Sequence, residues 1–122
     1  MSDTLYQPTT SANAVRRKAL APGIHEAFEK FSWLVFADGA LSEKTKQLIA
    51  VAAAHVTQCP YCISGHTKLA VRKGATDEQI MEAIWVAAEM RAGGAFAHST
   101  IALNAMDTES HAHHESHAEV LD

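Results

Sequence analysis

The segment Cys59-Pro60-Tyr61-Cys62-Ile63-Ser64-Gly65-His66 gathers both cysteines of the chain and one of its eight histidines into eight residues. A cysteine acts as nucleophile or metal ligand through its thiolate, so the surroundings of the sulfur decide what it can do. Proline is favoured at a first helical position, where its missing N–H is not needed, so Pro60 predicts a helix start with Cys59 as its N-cap. Cys62 and His66 then share one helical face, within reach of each other directly or through one water. Both sulfurs fall near the positive end of a helix dipole, which favours thiolate. Such surroundings can lower a thiol pKa from about 8.5 to roughly 3.5–7.5. With His66 on its face, Cys62 is expected to be the more acidic and reactive of the two.

Three chemistries compete for these residues. Unpaired cysteines are often small buried apolar residues and nothing more. A structural zinc site needs four ligands, and this segment supplies only three, so the fourth would have to come from His55 or a neighbouring subunit. A redox dithiol needs two cysteines close enough to form a small disulfide ring, one activated and one able to resolve it. The redox reading uses every polar feature of the segment, and it is the one favoured.

The elements that position the segment must come from a chain of 122 residues, enough for one domain with a single core. Alanine is abundant and aromatics make up 7%, which suits closely packed helices and leaves little material for strands. The expected fold class is all-α. With a net charge of −4 and no basic block beyond Arg16-Arg17-Lys18, nucleic acid is excluded as a partner. No apolar run approaches the roughly 18–20 residues of a membrane span, and Met1-Ser2-Asp3-Thr4 lacks the layout of a signal peptide. The expectation is therefore a cytoplasmic protein without a membrane partner. In a reducing compartment a C-x-x-C pair is more often catalytic or metal-binding than structural.

Residues 1–21 are polar and mixed and read as an N-terminal arm that is loosely ordered or holds a short helix. The helical domain spans 22–106. Pro22-Gly23 opens a helix whose apolar stripe is Ile24, Ala27, Phe28, Phe31, Leu34 and Val35, ended by Asp38-Gly39. Trp33 and Phe36 lie off that stripe and are read as packing residues, in the core or against another subunit. Ser42 is a natural N-cap for a central helix carrying Leu48, Ile49, Val51, Ala52 and Val56 to about Gln58. The cysteine helix follows from Pro60 to a left-handed cap at Gly74. Thr76 with Gln79 has the form of a capping box before Ile80, Ala83, Ile84 and Ala87. Gly93-Gly94 is expected to end or sharply bend that helix, with a helical pattern resuming to about Ala105. Met81, Trp85 and Met90 are core or interface residues, since no phosphate-binding glycines accompany them. From Asp107 the chain becomes a polar tail, 107–122, with His111, His113, His114 and His117; it reads as a disordered terminus rather than a metal site.

The run Gly39-Ala40-Leu41-Ser42, Thr45 through Ala50, Cys59-Pro60-Tyr61-Cys62 with His66, then Gly74-Ala75-Thr76 and Ile80, resembles the alkyl hydroperoxidase D-like branch of the carboxymuconolactone decarboxylase family. The likeness covers roughly residues 24 to 105. It implies an all-α fold whose subunits assemble through their helices into dimers, trimers or hexamers, and an antioxidant dithiol peroxidase activity. It also implies that Cys62 attacks the hydroperoxide substrate and Cys59 resolves the sulfenic acid. An external dithiol, of lipoyl type or a related carrier, would restore the thiols, with no metal or organic cofactor needed for oxidation. Lactone decarboxylases of the same superfamily share the fold without this pair.

One position departs from the family pattern. A glutamate usually stands twelve residues before the first cysteine and works with the histidine in a proton relay; here that position is Gln47. An amide can fix an imidazole by hydrogen bonding but cannot take a proton. Glu43, one turn earlier, and Glu89, on another helix, are the candidate replacements. The alternatives carried forward are thiol–disulfide exchange, a redox or metal sensor, and a lactone decarboxylase-type enzyme.

Overall fold

The computed structural model describes the backbone of residues 5–119 and the side chains of 5–112. Among these residues the chain is all-α, as expected: α1 (Ser11–Leu20), α2 (Pro22–Phe36), α3 (Glu43–Thr57), α4 (Pro60–Arg72) and α5 (Asp77–Glu119). The expected arm contains a short helix, α1, capped by the Thr10 hydroxyl accepting from the Asn13 N–H at 3.1 Å.

Local chemistry sets most boundaries. The Ser42 hydroxyl accepts from the Thr45 N–H (3.1 Å) and Asp38 Oδ1 from the Glu43 N–H (2.7 Å), so two of the orphan donors at the start of α3 are satisfied. At its other end Gln58 adopts a left-handed conformation (φ 59°), and the Cys59 N–H returns to the Ala54 carbonyl at 3.1 Å. That return leaves two residues to link α3 and α4, and the second of them, Cys59, already caps α4. Gly74 (φ 96°) closes α4 in the region that favours glycine. Thr76 and Gln79 form the reciprocal capping box: each side chain accepts the other's N–H, at 3.1 and 3.0 Å.

α3 lies at the centre, packed on both α4 and α5, with α2 along one edge. The core is built on Val51, Ala70, Ala75 and Ile80, bordered by Leu48 and Ile84. Ala54 and Ala87 are also buried, and such small residues let the helix axes approach closely. Arg91 on α5 donates to the Val56 carbonyl at 2.8 Å, covering one of the unsatisfied carbonyls at the end of α3. Outside this core the apolar stripe of α2 is uncovered: Ile24, Phe28, Phe31, Leu34 and Val35 are all exposed, as is Trp33 off the stripe.

Two expectations fail along α5. Gly93-Gly94 neither ends nor bends the helix into two elements; α5 continues through it. Glycine permits a break without compelling one. Neither glycine takes positive φ, no proline follows, and the neighbouring Ala, Met, Arg and Phe support the helix at a cost of about 1 kcal/mol per glycine relative to alanine. The change of composition at Asp107 is likewise no helix end, since α5 runs on to Glu119 through a stretch free of Gly and Pro. The Thr108 hydroxyl donates to the Asn104 carbonyl within it, at 2.9 Å. The side chains of His113, His114 and His117 lie outside the described residues, as do residues 120–122.

Candidate functional site

The α3–α4 corner brings the two cysteines together. As N-cap, Cys59 directs its sulfur at the first turn of α4, where Sγ accepts from the Cys62 N–H (3.3 Å) and lies 2.8 Å from the Cys62 sulfur. Both are free thiols, Cys59 half-buried and Cys62 exposed. Formation of a disulfide needs the sulfurs to close by about 0.8 Å, to a bond of about 2.05 Å.

The contacts at this corner favour Cys59 over Cys62 as the thiolate. The Cys62 thiol, then the Cys62 backbone N–H, and more weakly the Tyr61 N–H donate to Cys59 and hold its pKa below the ordinary thiol value. Cys62 is pushed up because its proton is committed to Cys59, with burial and the nearby Cys59 charge adding to the effect. When the pair loses a proton, these contacts favour the thiolate on Cys59. Sequence spacing placed it on Cys62 through His66, yet His66 hydrogen-bonds neither sulfur.

His66 is occupied elsewhere. Its Nδ1 lies 2.7 Å from Oε1 of Gln47, the most buried polar side chain among the described residues at 2% exposure. With the amide oxygen facing the ring, Nδ1 carries the hydrogen and donates it, leaving Nε2 to act on the site. The Phe36 ring stacks on the imidazole at a centroid separation of 5.1 Å and 27° between planes. The ring is thus fixed in its plane by one bond and over its face by another helix.

These groups open on a cleft of about 420 Å³ lined by Trp33, Phe36, Glu43, Gln47, His66 and Leu69 among others. Phe36, expected only to pack, touches the site histidine, and Trp33 is a wall of the cleft. No local spacing signals either role, because α2 meets α4 only through the tertiary fold. Of the two candidate carboxylates, Glu43 lines the cleft and is paired with Lys73 at 3.2 Å. Glu89 is exposed on α5 and is not part of the cleft wall. His55, considered as a fourth metal ligand, engages the Val51 carbonyl through Nδ1 at 2.7 Å. Among the described residues no cluster of three or more metal-ligating side chains is present.

The sequence signature of the carboxymuconolactone decarboxylase family matches residues 22–105, most of the chain. The chain belongs to that family. The cysteine pair is consistent with its alkyl hydroperoxidase D-like branch. A relative in Paracoccus denitrificans, uncharacterized protein 4 in the cox locus, is 61% identical over 103 residues, covering 84% of this chain and 93% of its own. The fold is similar to that of a carboxymuconolactone decarboxylase family protein from Legionella pneumophila (TM-score 0.64, 32% identity, 80% of this chain and 88% of that one). It is also similar to a family member from Thermotoga maritima, described as a possible participant in an antioxidative response (TM-score 0.50, 29% identity, 70% of this chain and 94% of that one). The family includes enzymes of both decarboxylase and alkylhydroperoxidase type. No helix among the described residues is long and apolar enough to cross a membrane.

Proposed function

We propose that this protein is a dithiol peroxidase that reduces organic hydroperoxides through Cys59 and Cys62, with His66 as proton carrier. The observation that carries the reading is the 2.8 Å contact between the two sulfurs at the start of α4, one turn from an imidazole fixed by Gln47 and Phe36.

The steps follow from the charge distribution. The first proton lost from the pair passes through water to Nε2 of His66, leaving Cys59 as thiolate. When a hydroperoxide reaches the exposed Cys62 sulfur, Cys59 takes the Cys62 proton across the S···S contact. The Cys62 sulfur attacks the distal peroxide oxygen, breaking the O–O bond; His66 returns its proton to the departing alkoxide. Cys62 is then a sulfenic acid and Cys59 a thiol, and their condensation gives the disulfide and water. Two thiols are oxidised for each hydroperoxide reduced to alcohol. An external dithiol must reduce the disulfide. Cys62 keeps the attacking role because it shares the face of His66, and Cys59 serves first as base and then as resolving thiol.

One observation favours a second reading. The partner of His66 is an amide, which orients the ring but cannot exchange a proton with it, so catalysis of peroxide cleavage is weaker than with a carboxylate there. A pair built this way also suits thiol–disulfide exchange with a protein or small-molecule disulfide. Consumption of cumene hydroperoxide with dihydrolipoamide as reductant separates the two. Turnover lost in both Cys62→Ser and Cys59→Ser supports the peroxidase. Disulfide reductase activity without peroxide turnover in the wild type supports exchange.

The protein is further proposed to act as a homo-oligomer. The α2 stripe exposes a contiguous row of large apolar side chains that a second copy can cover.

A further inference from the structure

α5 changes character along its length. Phe96, Ile101, Leu103 and Met106 are large, apolar and exposed, whereas from Asp107 to Glu119 the only apolar residues are alanines. Every residue from Ala95 to Ala112 is exposed, so no part of this chain buries that stretch of the helix. A polar helical end in such a position is held by its own hydrogen bonds and by side-chain pairs one turn apart. Isolated helices shorter than about 12–15 residues are marginal in water on those terms.

What the polar end does carry is four of the chain's eight histidines, within the seven residues from His111 to His117. On a loose terminus they would share no geometry; the helical backbone through Glu119 gives them a register. His113 and His117 stand at i and i+4, on one face and about 6 Å apart along the axis. That is the spacing at which two imidazoles on a helix chelate one ion, with each nitrogen about 2.0–2.1 Å from zinc. Glu109 stands a further turn back on the same stripe, the register from which a carboxylate can accept the second N–H of a ligating histidine. His117 also falls in the last turn of α5, where unsatisfied carbonyls give the helix end a partial negative charge that favours a cation.

We propose that His113 and His117 chelate a divalent transition-metal ion at the C-terminal end of α5, and that the ion staples the last turns of the helix. Imidazole ligands suit zinc, nickel and copper, while calcium and magnesium take oxygen ligands. Water or a neighbouring side chain completes the coordination. An ion that binds the paired register of the helix and not the unwound chain shifts the equilibrium toward helix by mass action. The site lies on a different helix from the cysteine pair and is independent of its redox chemistry.

The test uses the full chain with both cysteines blocked by iodoacetamide, so that the thiols cannot take the metal. Zinc and nickel chloride are titrated by calorimetry while helicity is followed by circular dichroism, with calcium chloride as the comparison. Saturable binding of zinc and nickel, none of calcium, and a rise in helical signal are expected. His117→Ala should weaken binding by more than the roughly tenfold that loss of an outer-shell partner costs. Ala112→His combined with His113→Ala keeps the number of histidines but leaves no pair at i and i+4, and it should weaken binding to a similar extent. Binding as tight in this register-shifted protein as in the wild type would overturn the proposal, because histidine content alone would then take the metal. Calcium binding equal to that of zinc, or a wild type that binds neither zinc nor nickel, would overturn it as well. Tight binding without a gain in helicity would contradict the stapling.

Discussion

Gln47 and His66, on different helices, are joined by a 2.7 Å contact between the buried amide oxygen and Nδ1 of the ring. The contact places the ring hydrogen on Nδ1, and it withholds the acid–base partner that a carboxylate at the same position would supply.

Gln47→Glu is therefore expected to raise hydroperoxide turnover. General acid–base assistance is worth about 10²–10⁴-fold, and a gain of about tenfold is expected from a relay added to an existing site. Gln47→Ala should lower turnover and cost about 1–3 kcal/mol by leaving a half-buried Nδ1–H without its acceptor. Rates across pH for the three proteins, with denaturant unfolding of each, check both claims. An alanine variant equal to wild type and a glutamate variant without gain would place the proton acceptor elsewhere, with Glu43 next in line by its position in the cleft.

Alkylation should find Cys59 first. Its pKa is held below the ordinary thiol value, chiefly by the Cys62 thiol, while that of Cys62 is raised, so as pH increases the Cys59 thiolate forms before the Cys62 thiolate. Peptide mapping after brief iodoacetamide treatment at a series of pH values reads the order. In Cys62→Ala the largest cause of the depression is gone, and the inflection for Cys59 should move up. Preferential labelling of Cys62 at neutral pH would show that the proton sits the other way round.

Phe36→Ala removes the ring that stacks on His66 and opens that side of the cleft. A loss of about 1–2 kcal/mol is expected, part from the aromatic pair and part from buried area. A drop in turnover larger than that of an equally destabilised variant in α1, measured at a temperature where both are folded, marks the positioning role.

The contrast between these residues shows what the sequence makes legible. The starts of α3, α4 and α5 were readable because caps act over three residues: Ser42 on Thr45, Cys59 on Cys62, Thr76 on Gln79. The close approach of Cys59 and Cys62 was readable for the same reason. The pairing of Gln47 with His66 followed from a family pattern, not from spacing. Phe36 against His66 was not readable, since stacking between α2 and α4 depends on how α3 holds them. The order of thiol acidity turns on a finer point. Helical spacing says that Cys62 shares a face with His66, but not that a second sulfur lies 2.8 Å away and shifts both thiols. At Gly93-Gly94 a permissive residue pair was mistaken for a compulsory break.

The uncovered α2 stripe predicts self-association. Sedimentation at micromolar concentration should give a mass that is a multiple of the 13.2 kDa chain. Phe28→Asp with Trp33→Asp, both at exposed positions, should shift it toward the single chain. A wild-type protein that is monomeric at that concentration would refute the assembly.

The most direct measurement of the central claim is a single turnover without reductant. Fully reduced protein is mixed with one equivalent of cumene hydroperoxide, and free thiols, alcohol product and the Cys59–Cys62 peptide are quantified together. The account predicts two thiols lost and one alcohol formed per chain, with the loss appearing as an intramolecular disulfide, and a Cys59→Ser protein that stops at the sulfenic acid of Cys62. Thiols that persist while the hydroperoxide remains unconsumed would contradict it.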